Sequence, residues 1–175
     1  PMNQDTTRRT AQRVAAAALA SAFTAIASAA TPGSAAPDIA ATDVTGKVVK
    51  LSDFRGKYVV LEWTNPECPF VQKHYVSKNM QTLQQEAGGK QVVWLAINST
   101  ETGSGDYLTP AKLAGWLGEK QAAPTATLMD ESGRIGQLYG AKTTPHMYIV
   151  SPQGQLIYAG GIDSIASARV DDIKT

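Results

Sequence analysis

Five short apolar runs, at residues 58–63, 91–97, 125–129, 146–150 and 155–158, punctuate this chain and alternate with segments whose apolar residues recur at helical spacing. The run 58–63 is unbroken apart from Glu62, the pattern of a strand covered on both faces. From Cys68 onward Val76, Met80, Leu83 and Ala87 keep a helical period until Gly88-Gly89 closes the element, so the pattern predicts one helix over about 68–87. Residues 98–109 are polar and glycine-containing and read as a surface loop. A helix with proline in its first turn is predicted over 110–119, with Leu113, Trp116 and Leu117 on one face, and a short one over 133–139, stopped by Gly140. Ser151-Pro152-Gln153-Gly154 joins the last two runs as a hairpin. Upstream, 47–51 reads as a short strand and 52–57 as a helical turn or loop.

The resulting order, β, β, α, β, α, β, α, β, β, predicts an α/β domain with a central mixed sheet and helices on both faces. The strand 58–63 is expected at its centre, with the carboxyl end of that strand as the place where ligands bind. Residues 166–173 begin to look helical at the end of the chain and suggest a closing helix continuing beyond it.

The N-terminal 29 residues have another character. Arg8, Arg9 and Arg13 form a basic start, an alanine-rich apolar stretch follows to about Ile26, and Ala27-Ser28-Ala29 supplies small residues for cleavage. The stretch is too short for a stable bilayer span and predicts an exported, periplasmic protein using general secretion, since Ala11 stands where a twin-arginine signal has an apolar residue. Removal of 1–29 takes three positive charges and one negative from a chain of formal net charge +1 and leaves the remainder slightly acidic. No basic surface argues for nucleic acid, and no segment argues for integration into a membrane. Residues 30–43, rich in Pro, Gly and Ala, are expected as a linker, and 44–175 as one domain.

One cysteine occurs in the chain, Cys68, where the central strand hands over to a helix through Thr64-Asn65-Pro66-Glu67. Unpaired N–H groups and the positive end of the helix dipole favour a thiolate at such a corner, and Pro69 fits the first helical position without loss. A lone cysteine in an oxidising compartment cannot pair within its own chain, so Cys68 is expected to be a free, reactive thiol or to meet a partner from outside.

From Lys47 to Tyr158 the chain resembles the thioredoxin-like redoxins, especially the exported thiol-disulfide oxidoreductases and the peroxiredoxin-like, AhpC/TSA-type branch. The resemblance rests on the entry segment Val49-Lys50-Leu51-Ser52-Asp53-Phe54-Arg55-Gly56-Lys57, on Cys68 at the first position of a Cys-x-x-Cys site, and on Thr144-Pro145 at the cis-proline loop. The run from Asn65 to Tyr75 is similar to a peroxiredoxin-like subgroup and is the most specific match. The resemblance implies a thioredoxin-like fold and makes Thr144, Pro145, His146 and Pro69 substrate-binding residues. It makes Glu62, six residues before the thiol, a buried acid that moves protons, its pKa raised by desolvation. Departures accompany these matches. Val71 stands in place of a second cysteine, and Asn65 and Leu61 stand where peroxiredoxins carry a Thr or Ser and a proline. Their peroxide-polarising arginine would fall at Pro145, and Thr64, one place out of step, is the nearest hydroxyl.

The expectation is therefore an exported single-cysteine oxidoreductase in which Cys68, assisted by Glu62, Thr64 and Asn65, attacks a peroxide or a disulfide and is restored by an external thiol, with no cofactor. Two alternatives stand beside it: a redox-inactive binding module that keeps the fold, and a copper-binding protein using Cys68 with His74 or His146. Lys73 and His74 are expected on a solvated helix face.

Overall fold

In the computed structural model, which describes residues 29–173, the chain runs through β1 (Ala40–Thr42), β2 (Val48–Lys50), a 3-10 turn (Leu51–Phe54), β3 (Val59–Trp63), α1 (Pro69–Val76) and α2 (Asn79–Gly89). It continues through β4 (Val93–Asn98), α3 (Pro110–Lys120), β5 (Ala126–Met129), α4 (Arg134–Tyr139), β6 (His146–Val150) and β7 (Leu156–Gly160). The main sheet has the order β5-β4-β3-β6-β7. β3, β4 and β5 are parallel, and β6 and β7 are antiparallel additions, so the sheet is mixed and β3 is its central strand, as the sequence predicts. This is an α/β thioredoxin-like fold.

Side-chain alternation along β3 divides the two cores. Val59, Leu61 and Trp63 point to one face and pack with Leu95, Ile97, Tyr148 and Tyr139 under α4 and the N-terminal segment. Val60 and Glu62 point to the other, where Val71, Tyr75 and Met80 of α1 and α2 pack with Trp94 and Met147. Complete burial of Leu61 or Val71 contributes roughly 2 kcal/mol each to holding these layers together. Glu62 is the one charged residue of the central strand, and its parity places it on the same face as α1, the helix that begins at Cys68.

Three elements differ from the sequence reading. The stretch 30–43, expected as a linker, is part of the packed domain: Ala36 and Ile39 are buried, Gly33 and Ser34 bond the backbone of Leu156, and β1 pairs with β2. The single helix expected over 68–87 is two helices, because Lys78 adopts a left-handed conformation (φ 65°) after α1. The break turns Val76 out to solvent and lets Met80, Gln84 and Ala87 bury on a new axis. Residues 166–173 form no α-helix and end in a 3-10 turn (Val170–Asp172). The signal-like stretch falls on residues 1–28, outside those described, apart from Ala29. Among the described residues no helix is long and apolar enough to cross a membrane.

The hairpin between β6 and β7 turns as expected. Gly154 has φ +80°, and a Cβ there would lie 1.7 Å from the Arg55 guanidinium, which packs over the turn and donates to the Gln153 carbonyl at 2.8 Å.

Candidate active site

The loop from β3 to α1 is fixed by its own polar groups. The Asn65 side chain accepts from the Glu67 N–H at 2.8 Å, the Asn65 carbonyl accepts from the Cys68 N–H, and Gln72 reaches back to the Pro66 carbonyl. This holds Cys68 at the N-cap of α1, with Pro69 as the first helical residue and the Cys68 carbonyl already accepting from Val71 and Gln72. The thiol is half-buried and free, and Sγ donates to the Thr144 carbonyl at 3.1 Å. Thr144 precedes Pro145 through a cis peptide bond, so the cis-proline loop and the cysteine corner meet. Of the residues named from sequence, Thr144 alone hydrogen-bonds the sulfur. Asn65 shapes the loop, and Pro69 is exposed at the helix start.

His146 follows Pro145 onto β6 and stacks on Tyr148 with ring centroids 4.5 Å apart. The Tyr148 hydroxyl donates to the Tyr139 carbonyl at 3.1 Å and so accepts from His146 Nδ1 at 3.3 Å, which leaves Nε2 as the acceptor nitrogen. Burial holds His146 below the ordinary histidine value and pushes Tyr148 up to about 12. The structure thus places His146 against Tyr148 rather than on the thiol.

Beneath the corner lies the acid. Glu62 is fully buried and receives Trp94 Nε1 at 2.7 Å, Tyr75 Oη at 3.0 Å and Gln84 Nε2 at 3.2 Å. Burial raises its pKa, and the hydrogen bonds from Trp94, Tyr75 and Gln84, with the nearby Thr64 hydroxyl, only partly offset that rise. Between the ordinary carboxyl range and the raised folded value, the folded protein keeps a proton that the unfolded chain has released, so stability is lost as pH climbs through that window. Glu62→Gln is expected to flatten the fall in stability as pH climbs above the ordinary carboxyl range. Denaturant unfolding at a series of pH values checks this, and an unchanged slope would contradict it.

Lys73 and His74 correct the sequence reading outright. Neither lies on a solvated face. Both are buried, and both reach Asp163, Lys73 Nζ at 2.7 Å and His74 Nε2 at 3.3 Å. Lys73 also donates to the Ser167 carbonyl at 2.8 Å, and His74 Nδ1 meets Asn79 Nδ2 at 2.8 Å. Burial alone would raise Asp163, but the hydrogen bond from Lys73 and the adjoining cations bring it below the usual carboxylate range. These contacts strap residues 161–167 across α1. With Phe70, Pro145, Ile162 and Ile165 the strap walls a groove of about 370 Å³ beside the cis-proline loop. Sequence reasoning missed the strap because an aspartate ninety residues from its lysine leaves no local pattern; a lysine and histidine on the buried side of α1 were the one available signal.

His74 is committed to Asp163 and Asn79 and lies apart from the Cys68–Thr144 pair. Among the described residues no group of three or more His, Cys, Asp or Glu side chains is placed to hold a metal ion. The site offers a half-exposed sulfur at a helix start, a backbone edge beside it, and a buried carboxyl group below.

The model of the AhpC/TSA family matches residues 32–159. Among solved structures, an uncharacterized conserved protein from Geobacillus kaustophilus is similar at 28% identity and TM-score 0.72, over 83% of this chain and 75% of that one. The thioredoxin domain of a thiol-disulfide oxidoreductase from Bacteroides vulgatus is similar in fold at 21% identity and TM-score 0.59, over 74% of this chain and 87% of that one. So is the exposed lipoprotein thioredoxin Etrx1 of Streptococcus pneumoniae, at 23% identity and TM-score 0.59, over 73% and 92%. No curated protein matches the chain significantly.

Proposed function

The chain belongs to the AhpC/TSA family, and on that premise we propose that it is an exported single-cysteine oxidoreductase in which Cys68 reduces a peroxide or exchanges with a protein disulfide. The observation that carries this reading is the seating of Cys68 Sγ at the N-cap of α1, 3.1 Å from the Thr144 carbonyl of the cis-proline loop. With a peroxide, the sulfur gives its electron pair to the nearer oxygen. The O–O bond breaks toward the farther oxygen, which leaves with a proton as water or an alcohol, and the sulfur becomes a sulfenic acid. Glu62, the raised buried acid on the same face of the sheet, takes the thiol proton. An external thiol then condenses with the sulfenic acid, releasing water, and a second one reduces the mixed disulfide, because Val71 occupies the position of a resolving cysteine. With a disulfide the same sulfur attacks one sulfur atom and expels the other as a thiolate. The Thr144 backbone and the groove beside Phe70 and Ile165 are the surface against which such a peptide would lie. The basic start and alanine-rich stretch of 1–29 support export to the periplasm.

The experiment is product identification after one equivalent of hydrogen peroxide, with a dimedone trap, beside a parallel reaction with a peptide disulfide. A trapped sulfenic acid formed within seconds supports the peroxidase branch, and a mixed disulfide formed faster than the sulfenic acid supports exchange. A thiol inert to both would favour a redox-inactive binding module, the reading to which the missing second cysteine lends support. The copper reading lacks a clustered ligand set among the described residues.

A further inference from the structure

The buried network around Glu62 brings three donors to its two oxygens and leaves one neighbouring hydroxyl without a partner. Gln84 fixes the polarity. Its Oε1 accepts from the Ala123 N–H at 2.8 Å, so its amino group is the end that faces inward, toward Glu62 Oε2 at 3.2 Å and Tyr75 Oη at 3.1 Å. Tyr75 Oη accepts there, and its own proton therefore goes to Glu62 Oε1 at 3.0 Å. Trp94 Nε1 can only donate and does so to Oε2 at 2.7 Å. Every polar atom of the network is satisfied except one. The Thr64 hydroxyl, 1% exposed, makes no hydrogen bond. It lies close enough to Glu62 and Tyr75 to pull the pKa of each downward, against the larger rise that burial causes.

A buried hydroxyl without a partner gives up its hydration for nothing in return and calls for an explanation. Placing a proton on Glu62 Oε1 supplies one. The carboxyl group then donates to Tyr75 Oη, whose own proton has to turn away, and the unpaired neighbour waiting for it is Thr64. We propose that Tyr75 and Thr64 are relay residues that carry the proton between the Cys68 side of the network and Glu62. In the shift each hydroxyl oxygen gives up one proton as it gains one, so Tyr75 and Thr64 stay neutral and Glu62 gains the proton that the thiol loses. Placement fits this role: Thr64 opens the loop that ends at Cys68, and Cys68 packs against the cluster that contains Tyr75 and Trp94. The other groups facing Glu62, from α2 and β4, are the amide of Gln84 and the indole of Trp94, neither of which titrates. The relay rests on the reading that Cys68 is the reacting thiol and Glu62 its base.

The test measures sulfenic acid formation by hydrogen peroxide against pH, in H2O and in D2O, for Tyr75→Phe, Thr64→Val, Thr64→Ser and Glu62→Gln, each checked for an intact fold by its melting transition. Tyr75→Phe keeps the ring on Trp116, with centroids 4.7 Å apart, and removes only the hydroxyl. The relay predicts that Tyr75→Phe and Thr64→Val each slow the reaction by about tenfold or more and displace the pH profile, while Thr64→Ser retains both. Tyr75→Phe added to Glu62→Gln is expected to cost nothing further. Wild-type rates and profile in Tyr75→Phe and Thr64→Val, with Glu62→Gln slowed, would overturn the relay and leave the role of Glu62 standing. A wild-type rate in Glu62→Gln would remove the base and the relay together.

Discussion

Cys68→Ser is expected to abolish turnover with hydrogen peroxide and with a peptide disulfide while leaving the melting transition within about 1 kcal/mol of the parent. The sulfur sits half-buried at a helix start and makes one hydrogen bond, to the Thr144 carbonyl, which a serine hydroxyl can also donate. Serine is moreover a preferred N-cap residue, so the corner keeps its geometry without its nucleophile. Loss of activity with the fold retained therefore isolates the chemistry. Substantial residual turnover in a coupled thiol assay would mean that a group other than the sulfur reacts.

Asp163→Ala is expected to be the most destabilising change on the surface of the domain, by about 3 kcal/mol, because it leaves the buried Lys73 ammonium with the Ser167 carbonyl as its remaining partner. Lys73→Met, which keeps the stem and removes the charge, is expected to cost less, since Asp163 is partly open to water and can be solvated. Both changes release residues 161–167 from α1 and open the groove beside Pro145 to limited proteolysis. Denaturant unfolding of the two variants gives the comparison. Equal and small effects would show that the strap is held by its apolar contacts at Ile162 and Ile165 rather than by the ion pair.

Much of this frame was legible in the sequence because it depends on local signals. The run 58–63 with its single Glu62 revealed a central strand, Gly140 and Gly154 marked a helix end and a hairpin, and the lone cysteine between strand and helix marked the site. The break at Lys78 was not legible: a left-handed lysine carries no sequence mark, and the apolar period read straight across it. The packing of 30–43 was hidden for the opposite reason, since two buried residues, Ala36 and Ile39, are too sparse to announce a packed segment. The strap and the partners of Glu62 were out of reach because both depend on distant pairs, Lys73 with Asp163 and Glu62 with Gln84 and Trp94, which come together only when helices pack on the sheet. Glu62 could be suspected from its place in a buried run, but its saturation with donors and the unpartnered Thr64 hydroxyl are properties of the folded layers.

The central claim is that the fold makes Cys68 reactive. It is tested most directly by the second-order rate constant of Cys68 with hydrogen peroxide, measured at one pH on the folded protein and on the same protein unfolded in denaturant, with loss of free thiol as the readout. The account predicts a folded rate about a hundredfold or more above the unfolded one. A folded rate equal to or below that of the unfolded chain would contradict it and make Cys68 a packing residue of the corner.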